Sequence, residues 1–318
     1  MKNVPHIPVM LTEVLDALQP KDGEVYVDGT FGAGGYTNAI LKFANCKVIA
    51  VDRDERAYAT AQSLHKQNAN VIPVHGAFGD VADHLQALSI AQVDGLVLDL
   101  GVSSMQIDTP ERGFSFAKDG PLDMRMDTSS GEPASILVNT LDEKSLADII
   151  HTYGEERHAR AIARAIVKAR ADKQIETTLV LANIVASAMP GSSKKFALHP
   201  ATRTFQALRI AVNGELEQLE SALKASLKVL KPGGRLVIVS FHSLEDAVVK
   251  RFLKEQSEAP ATSRHRPDVS DAFVPAFTVS VKKALKPTDA ECRSNPRASS
   301  AKLRFAIRTN DQPIRKAA

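Results

Sequence analysis

The chain has 318 residues, of which 44% are hydrophobic and 24% are charged, and its formal net charge is +3. This composition is ordinary for a folded globular protein and excludes collagen-like, disulfide-dense and disordered classes. Cys46 and Cys292 lie far apart without C-x-x-C spacing, so neither a disulfide framework nor a metal cluster is expected. No run approaches the ~18 apolar residues of a membrane span, and no signal peptide is evident. We therefore expect a cytoplasmic protein that requires neither a membrane nor a metal.

The charge is unevenly distributed along the chain. Residues 251–318 carry fourteen Lys and Arg against seven Asp and Glu, a local charge of +7, which leaves about −4 for residues 1–250. A basic end is typical of proteins with a polyanionic partner. On charge alone, however, a solvated basic surface is the simpler explanation.

Four short apolar runs in the first part of the chain have the composition of buried β-strands, and each is closed by Gly or Asp. They cover residues 24–28, 47–52, 70–75 and 93–99, with helix-like stretches between them. Strands that alternate with helices predict βαβ units and a parallel sheet covered on both faces. Pro73 cannot donate a ladder hydrogen bond, so we expect the third strand at or near an edge of the sheet.

The strand pattern stops between about Asp108 and Ala201, where only helices are predicted. They lie near residues 141–152, 155–172 and 177–189, and a further helical stretch covers residues 202–230. The strand pattern resumes at residues 235–241. We therefore predict an α/β fold with a doubly wound Rossmann-like core, residues 1–107 with 207–318, interrupted by an inserted helical domain of residues 108–206.

Two alternating runs near the C-terminus, residues 277–281 and 301–308, have no obvious crossover helix between them. This arrangement favours an antiparallel pair at one edge of the sheet. Residues 256–275 are rich in proline, serine and charge, and we expect them to form a mobile loop.

A glycine-rich turn, Asp28-Gly-Thr-Phe-Gly-Ala-Gly-Gly35, follows the first predicted strand and opens a helix. Glycines at a helix N-terminus let a ligand approach the backbone closely. A dinucleotide G-x-G-x-x-G motif that starts at Gly32 needs a third glycine where this chain has Thr37. Asp52 ends the second strand, where a carboxylate accepts hydrogen bonds from both hydroxyls of a ribose. The pattern favours an adenosine ligand without pyrophosphate, as in S-adenosylmethionine-dependent methyltransferases.

Seven longer blocks give the chain a more specific resemblance. They are DLGVSSMQ (99–106), RGFSF (112–116), GPLDMRM (120–126), YGEER (153–157), TFQALRI (204–210), SFHSLED (240–246) and NPR (295–297). In this order they resemble the signature blocks of the ribosomal RNA small subunit methyltransferase H family, also called the MraW family. Seven matches in order are far more specific than one short motif.

The resemblance implies an enzyme that methylates N4 of one cytidine in the decoding centre of 16S ribosomal RNA. It implies S-adenosylmethionine as methyl donor and the small ribosomal subunit or its RNA as partner. The residues that it places in the donor pocket are Gly34, Gly35, Tyr36, Asp52, Phe78, Asp99 and Gln106. The family usually has histidine at the position of Tyr36. A backbone contact there survives the change, whereas a side-chain contact need not.

Methylation of cytosine N4 requires an acceptor for the amine hydrogens, because the nitrogen lone pair is delocalised into the ring. Asp99 supplies a carboxylate at the end of the fourth strand, but Leu-Gly-Val follows it where many amino-methyltransferases have two prolines and an aromatic residue. Asp99 either accepts the proton or binds only the donor. We expect a ring from Phe114, Phe116 or Phe241 to stack on the base. Ser103, Ser104 and His242 are further candidates for contacting it. A structural role explains His242 equally well.

Basic residues recur at three- and four-residue spacing in the predicted insertion, at Arg157, Arg160, Arg164 and Lys168. This spacing places them on one helix face, where they can track phosphates. Ion pairs on a solvated face explain the same pattern. Together with the basic C-terminal stretch they predict an RNA-facing groove between insertion and core. Its candidate contacts are Arg112, Phe114, Arg157, Arg164, His242 and Arg297.

Two other classes of function remain as alternatives. A nicotinamide-dependent oxidoreductase is expected to keep the third glycine that Thr37 replaces. A non-catalytic ribosome-assembly protein has no need of a donor pocket with Asp99. For the glycine-rich turn itself, a role limited to reversing the chain direction is less favoured. Four glycines in seven residues lose much conformational entropy when they become ordered.

Overall fold

The structure is a computed structural model that describes residues 8–189, 199–259 and 273–309, except for the side chain of Ser104. The strands are β1 (Val25–Asp28), β2 (Lys47–Asp52), β3 (Val71–His75), β4 (Val93–Asp99), β5 (Leu230–Ser240), β6 (Phe277–Thr278) and β7 (Lys302–Arg308). The helices are α1 (Leu11–Leu18), α2 (Gly35–Phe43), α3 (Glu55–Gln67), α4 (Val81–Ala87), α5 (Ser104–Asp108), α6 (Ala134–Thr140), α7 (Glu143–Gly154), α8 (Ala159–Asp172), α9 (Thr178–Ala188), α10 (Thr202–Asn213), α11 (Glu215–Val229), α12 (Ser243–Ser257) and α13 (Asp289–Ser294).

Within the described residues, seven strands form one sheet in the order β3-β2-β1-β4-β5-β7-β6. The strands β3, β2, β1, β4 and β5 are parallel to one another, and β7 is antiparallel to both β5 and β6. The order reverses direction at β1, which is the switch point of a doubly wound sheet, where ligands bind at the carboxyl ends of the strands. The predicted α/β class is confirmed. The strand that contains Pro73 lies at one edge, and the antiparallel pair lies at the other.

Alternate residues of the central strands enter two separate apolar clusters, one on each face of the sheet. Leu96 and Leu98 of β4 pack with residues of α4, α11 and α12. Val97, between them, packs with residues of α1 and α2. Both faces of the sheet are therefore covered, as the continuous apolar runs of its strands require.

Several elements differ from their predicted bounds. β5 begins at Leu230 instead of residue 235, with an irregularity between the pairs Leu230 with Val93 and Arg235 with Gly95. The predicted helical stretch of residues 202–230 is two helices, because Gly214 adopts a left-handed conformation (φ 57°) between them. The predicted strand of residues 277–281 is only two residues long. Most of the predicted loop of residues 256–275 lies outside the described residues, and its first two residues belong to α12.

The chain divides into two compact units, and the predicted insertion lies inside the second. The first unit covers the chain up to Gly101 and from Leu216 onward, and it contains the sheet. The second unit is Val102–Glu215, and its own apolar cluster includes Leu146, Ile162 and Leu181 from α7, α8 and α9. Among the described residues, no helix combines the length and the apolar character needed to cross a bilayer.

Candidate active site

Three aspartates lie at the carboxyl ends of three adjacent strands of the first unit. Asp28 ends β1, and its neighbours in the sheet are Ala50 of β2 and Val97 of β4. Both neighbouring strands continue two residues further, to Asp52 and Asp99. Because the strands are parallel, their terminal carboxylates converge at one edge of the sheet. This is the edge at which a doubly wound sheet binds its ligands.

The turn after β1 is built into this edge by its backbone. The amide of Gly29 donates to the carbonyl of Val97 at 3.0 Å, and the amide of Phe31 donates to the carbonyl of Val51 at 3.0 Å. Position 29 admits only glycine without rearrangement, because a Cβ atom there would lie 2.5 Å from Cδ2 of Leu98. The turn is therefore anchored on both neighbouring strands before it opens α2.

Asp52 is bound to the glycine turn and to the start of α3. Its Oδ2 accepts a hydrogen bond from the amide of Gly32 at 2.7 Å, and its Oδ1 accepts one from the amide of Asp54 at 2.9 Å. The side chain is half-buried, and burial raises its pKa to about 6. Each oxygen keeps acceptor capacity beyond its one backbone bond, so the carboxylate can also accept hydroxyl groups of a ligand.

Asp99 differs from the other two acids because one of its oxygens is not satisfied. Its Oδ1 is shielded from solvent and has no hydrogen-bond partner among the described residues. Burial, with the charges of Asp28 and Glu245, raises the pKa of Asp99 well above its ordinary value. The backbone at this position is fixed, since its amide donates to the hydroxyl of Thr30 at 2.7 Å. A buried polar atom without a partner is costly and marks a position that a ligand can satisfy.

Asp28, by contrast, is buried, and both of its oxygens have partners within the protein. Its Oδ2 accepts the hydroxyl of Thr37 at 2.7 Å, and its Oδ1 accepts the amide of Thr30 at 3.3 Å. Burial raises its pKa to about 6. Thr37, at the position where a dinucleotide motif needs glycine, is therefore a buried residue that donates a hydrogen bond to Asp28.

The remaining donor-pocket candidates of the first unit lie around the turn. Gly34 adopts φ 79° and precedes α2, which begins without a side-chain cap. A Cβ atom on Gly35 would lie 2.4 Å from Cγ of Pro8. The ring of Tyr36 is buried, and its hydroxyl donates to the carbonyl of Val9 at 2.5 Å. Phe78 is half-buried and lies beside the turn. A Cβ atom added to Gly29 would be only 3.2 Å from the Cβ of Phe78.

His242 and Glu245 form a reciprocal cap where β5 leads into α12. The Oε2 atom of Glu245 accepts hydrogen bonds from the amides of Phe241 and His242, at 2.7 and 3.2 Å. The imidazole Nδ1 accepts the amide of Glu245 at 3.4 Å, and Nε2 lies 3.0 Å from Oε1 of the same residue. This placement gives His242 a structural role. Glu245 was missed from the sequence, although its position three residues after the cap is the signal of a capping box.

The same kind of cap occupies two candidates in the second unit. The amide of Gln106 donates to Oγ of Ser103 at 3.3 Å, and the amide of Ser103 donates to Oε1 of Gln106 at 3.0 Å. These bonds begin α5 and fix both side chains. The sequence S-x-x-Q carried this signal.

Arg112 is buried and holds a loop of the second unit. Its guanidinium donates to the carbonyls of Arg125 and Met126 at 3.0 and 2.9 Å, and it lies 5.7 Å from the ring centroid of Phe114. The ring of Phe116 packs against His199 and Phe205. Phe241 belongs to the first unit. Its ring lies beside Gly101, two residues after Asp99, since a Cβ atom added to this glycine would be 3.4 Å from Cδ2 of the ring.

The four basic residues predicted to track phosphates are exposed. Arg160, Arg164 and Lys168 follow one another on α8, whereas Arg157 precedes the helix, which starts at Ala159. The side chain of Arg164 is 75% exposed, and its Nε lies 3.5 Å from a carboxylate oxygen of Glu143. In the first unit, Arg297 is exposed on a short 3-10 turn, residues 296–300.

Comparisons with known proteins agree with the sequence blocks. The model of the MraW methylase family matches residues 3–309. "Ribosomal RNA small subunit methyltransferase H" of Hyphomonas neptunium is 54% identical over 306 residues, which are 96% of this chain and 89% of the relative. The protein of the same name from Paramagnetospirillum magneticum is 53% identical over 97% of both chains. Among solved structures, an rRNA methylase from Streptococcus thermophilus aligns with a TM-score of 0.40 at 12% identity, over 93% of this chain and 92% of that one. The chain belongs to the MraW methylase family and is a methyltransferase.

Proposed function

We propose that this chain transfers a methyl group from S-adenosylmethionine to the exocyclic N4 amine of one cytidine in the decoding centre of 16S ribosomal RNA. The names of its relatives support ribosomal RNA of the small subunit as the substrate. The sequence blocks, which resemble those of a cytosine-N4 methyltransferase family, support the base and the atom. The structural observation that carries the proposal is the buried Oδ1 of Asp99 beside the glycine turn, for which the described part of the chain offers no hydrogen-bond partner.

The first unit fits the methyl donor in charge and in shape. S-adenosylmethionine carries a positive sulfur, and three carboxylates converge at the edge of the sheet where burial opposes their ionisation. A bound cation lowers this cost, because opposite charge favours the ionised form of each acid. When bound, S-adenosylmethionine supplies an electrophilic methyl group on that positive sulfur.

Each part of the donor has a candidate partner in this unit. The carboxylate of Asp52 would accept the ribose hydroxyls, and the face of Phe78 would cover the adenine. The start of α2, which has no side-chain cap, would hold the amino-acid end through the amides of Gly35 and Tyr36, since the first amides of a helix have no partner within it. The amide of Gly34 already donates to the carbonyl of Phe31 at 2.7 Å, so this glycine would serve by its left-handed conformation. Tyr36 would contribute only its backbone here, because its hydroxyl already donates to Val9.

Asp99 has the properties of the acceptor for the target amine. As the nitrogen gains the methyl group it becomes more acidic, and Oδ1 can accept the hydrogen bond and then the proton. The raised pKa of Asp99 makes its carboxylate a stronger base than an ordinary aspartate. Burial of this oxygen also keeps water away from the reacting amine.

Among the three candidate rings, the structure favours Phe241 as the platform for the base. It lies in the same unit as Asp99 and close to Gly101. Phe116 is packed inside the second unit, and Phe114 lies under the guanidinium of Arg112. The amide of Phe241 is held by Glu245, so the backbone that carries the ring is fixed.

We assign phosphate binding to the exposed cations rather than to Arg112. Arg157, Arg164 and Arg297 are exposed, together with Arg160 and Lys168 on α8. Arg112 donates to two carbonyl groups inside its own unit, so its role is to shape the loop of residues 112–126. Exposed arginines on one helix contribute sequence-independent affinity for RNA.

The test is methyl transfer from tritiated S-adenosylmethionine to small ribosomal subunits that lack the modification. The wild-type chain is expected to transfer label, and Asp99→Asn is expected to lower the rate about a hundredfold or more, with the donor Kd within about threefold. Asp83→Asn changes an exposed acid on α4 and serves as the control. Wild-type rate in Asp99→Asn with normal donor affinity would contradict the acceptor role. A parallel loss of donor affinity would assign Asp99 to donor binding alone.

A further inference from the structure

One peptide group near the N-terminus, between Val9 and Met10, is held from both sides by side chains distant in sequence. Its carbonyl oxygen accepts the hydroxyl of Tyr36 at 2.5 Å. Its amide donates to Oε1 of Glu291 at 2.6 Å. Glu291 lies on α13, 281 residues along the chain from Met10. The two side chains therefore join the C-terminal part of the first unit to the glycine turn through a single peptide plane.

This peptide depends on both contacts. Val9 is almost completely buried, and Met10 is fully buried. Met10 is the residue that precedes α1, and it adopts a left-handed conformation (φ 51°). A left-handed conformation is unfavourable for a residue with a long side chain, and buried backbone groups need partners. The structure around Met10 must therefore hold it in place, and Glu291 supplies a charge-assisted hydrogen bond, which is stronger than a neutral one.

The same segment covers the start of α2. Pro8 packs against Gly35 so closely that a Cβ atom there would lie 2.4 Å from the proline Cγ. Tyr36, the next residue, is the one that holds the peptide. Burial, followed by nearby acidic charges that include Asp99 and Glu291, raises the pKa of Tyr36 well above its ordinary value. Tyr36 lies in the first turn of α2, so the clamp borders the glycine turn. We call Pro8–Met10, Tyr36 and Glu291 the N-terminal clamp.

We infer that Glu291 is a positioning residue for the methyl donor, acting through the N-terminal clamp on the first turn of α2. This inference rests on the proposed function, since it assigns the backbone amides that open α2, at Gly35 and Tyr36, to the amino-acid end of S-adenosylmethionine. With the clamp closed, Pro8 fixes the wall behind Gly35, and the amides that open α2 stay oriented for a carboxylate. Without Glu291 the Met10 amide loses its partner, and the segment no longer fixes the turn.

The test measures binding of S-adenosylmethionine and of S-adenosylhomocysteine by calorimetry for the full chain and its variants. Glu291→Leu is expected to raise both Kd values about tenfold or more, because it removes a charge-assisted hydrogen bond. Glu291→Gln keeps an acceptor oxygen and is expected to restore most of the affinity. The control is Asp289→Asn, which removes an exposed charge from the same helix and leaves both Kd values unchanged.

Two further measurements separate positioning from general stability. KM for the RNA substrate is expected to stay within about twofold in Glu291→Leu, because only the groups that hold the donor change. Tyr36→Phe is expected to weaken donor binding, and the double variant is expected to lose less than the sum of the single effects, because both residues hold one peptide.

The outcomes that overturn the inference are distinct from those that overturn the proposed function. If Glu291→Leu melts at a lower temperature but binds the donor normally while folded, Glu291 is structural and the inference is wrong. If Glu291→Gln binds as weakly as Glu291→Leu while Asp289→Asn binds normally, the acceptor atom is not what matters, and the inference is also wrong. If the wild-type chain itself binds neither ligand, the proposed function fails instead.

Discussion

The amide of Gly32 donates a 2.7 Å hydrogen bond to Oδ2 of Asp52, twenty residues further along the chain. This bond joins the glycine turn after β1 to the end of β2, so the two groups proposed to hold the methyl donor position each other. The other oxygen of Asp52 accepts the amide of Asp54. The carboxylate thus has a fixed orientation before any ligand arrives, which reduces the entropy cost of binding.

Asp52→Asn is expected to weaken binding of S-adenosylmethionine about tenfold to a hundredfold, because the amide offers one acceptor oxygen where the carboxylate offers two charged ones. Calorimetric titration measures this change directly. The control is Glu55→Gln, which alters an exposed acid three residues away at the start of α3. Equal donor affinity in Asp52→Asn and the wild type would show that the ribose is held elsewhere.

Affinity for S-adenosylmethionine is expected to rise between about pH 5 and pH 7. Burial raises the pKa of Asp28 and of Asp52 to about 6, so both acids are partly protonated below that pH. A cationic ligand favours the ionised acids, so binding releases protons and becomes tighter as pH rises through the free-state pKa. S-adenosylhomocysteine, whose sulfur is neutral, should show a smaller rise. A ratio of the two Kd values that does not change with pH would contradict a sulfonium beside these acids.

Phe241→Leu is expected to lower kcat/KM for the RNA substrate about tenfold, because loss of a stacking ring costs about 1–3 kcal/mol per base. The donor Kd should be unchanged, because the ring is assigned to the base. Phe43→Leu, at a phenylalanine that is 59% exposed on α2, is the control. If Phe241→Leu methylates the RNA normally, the base stacks on another ring.

Charge reversal of Arg160, Arg164 and Lys168 to glutamate is expected to weaken RNA binding and to flatten its dependence on salt. For each phosphate that the variant no longer neutralises, the slope of log affinity against log salt falls by about one. The donor Kd serves as an internal control, because these residues are exposed on α8 and are not among the donor-pocket candidates. RNA affinity that is unchanged at physiological salt would place the RNA surface on another part of the chain.

The elements of the fold that depend on local patterns could be predicted from the sequence. The apolar runs that end at Asp28, Asp52 and Asp99 are adjacent parallel strands, and their acids converge because strand ends share one edge. Gly214 is a helix-breaking residue inside the predicted stretch of residues 202–230, and it separates α10 from α11. The predicted start of α8 is also too early, because Arg157 lies two residues before the helix begins.

Other features depend on contacts between distant residues, and no local pattern reports them. The bond between Met10 and Glu291 joins residues 281 positions apart. The burial of Arg112 follows from the path of residues 125 and 126, which places two carbonyls beside its guanidinium. Such contacts are decided by the packing of whole elements, whereas periodicity and spacing report only the neighbourhood of each residue.

The most direct test is mass spectrometry of nucleosides from 16S ribosomal RNA after small subunits lacking the modification are incubated with the purified chain and isotope-labelled S-adenosylmethionine. The expected result is label in a cytidine methylated at N4, recovered from a decoding-centre fragment, and much less of it when the Asp99→Asn variant is incubated for the same time. Label on another base or another atom would contradict the proposed specificity. No label in any nucleoside, with a chain that is folded, would contradict methyl transfer to this RNA.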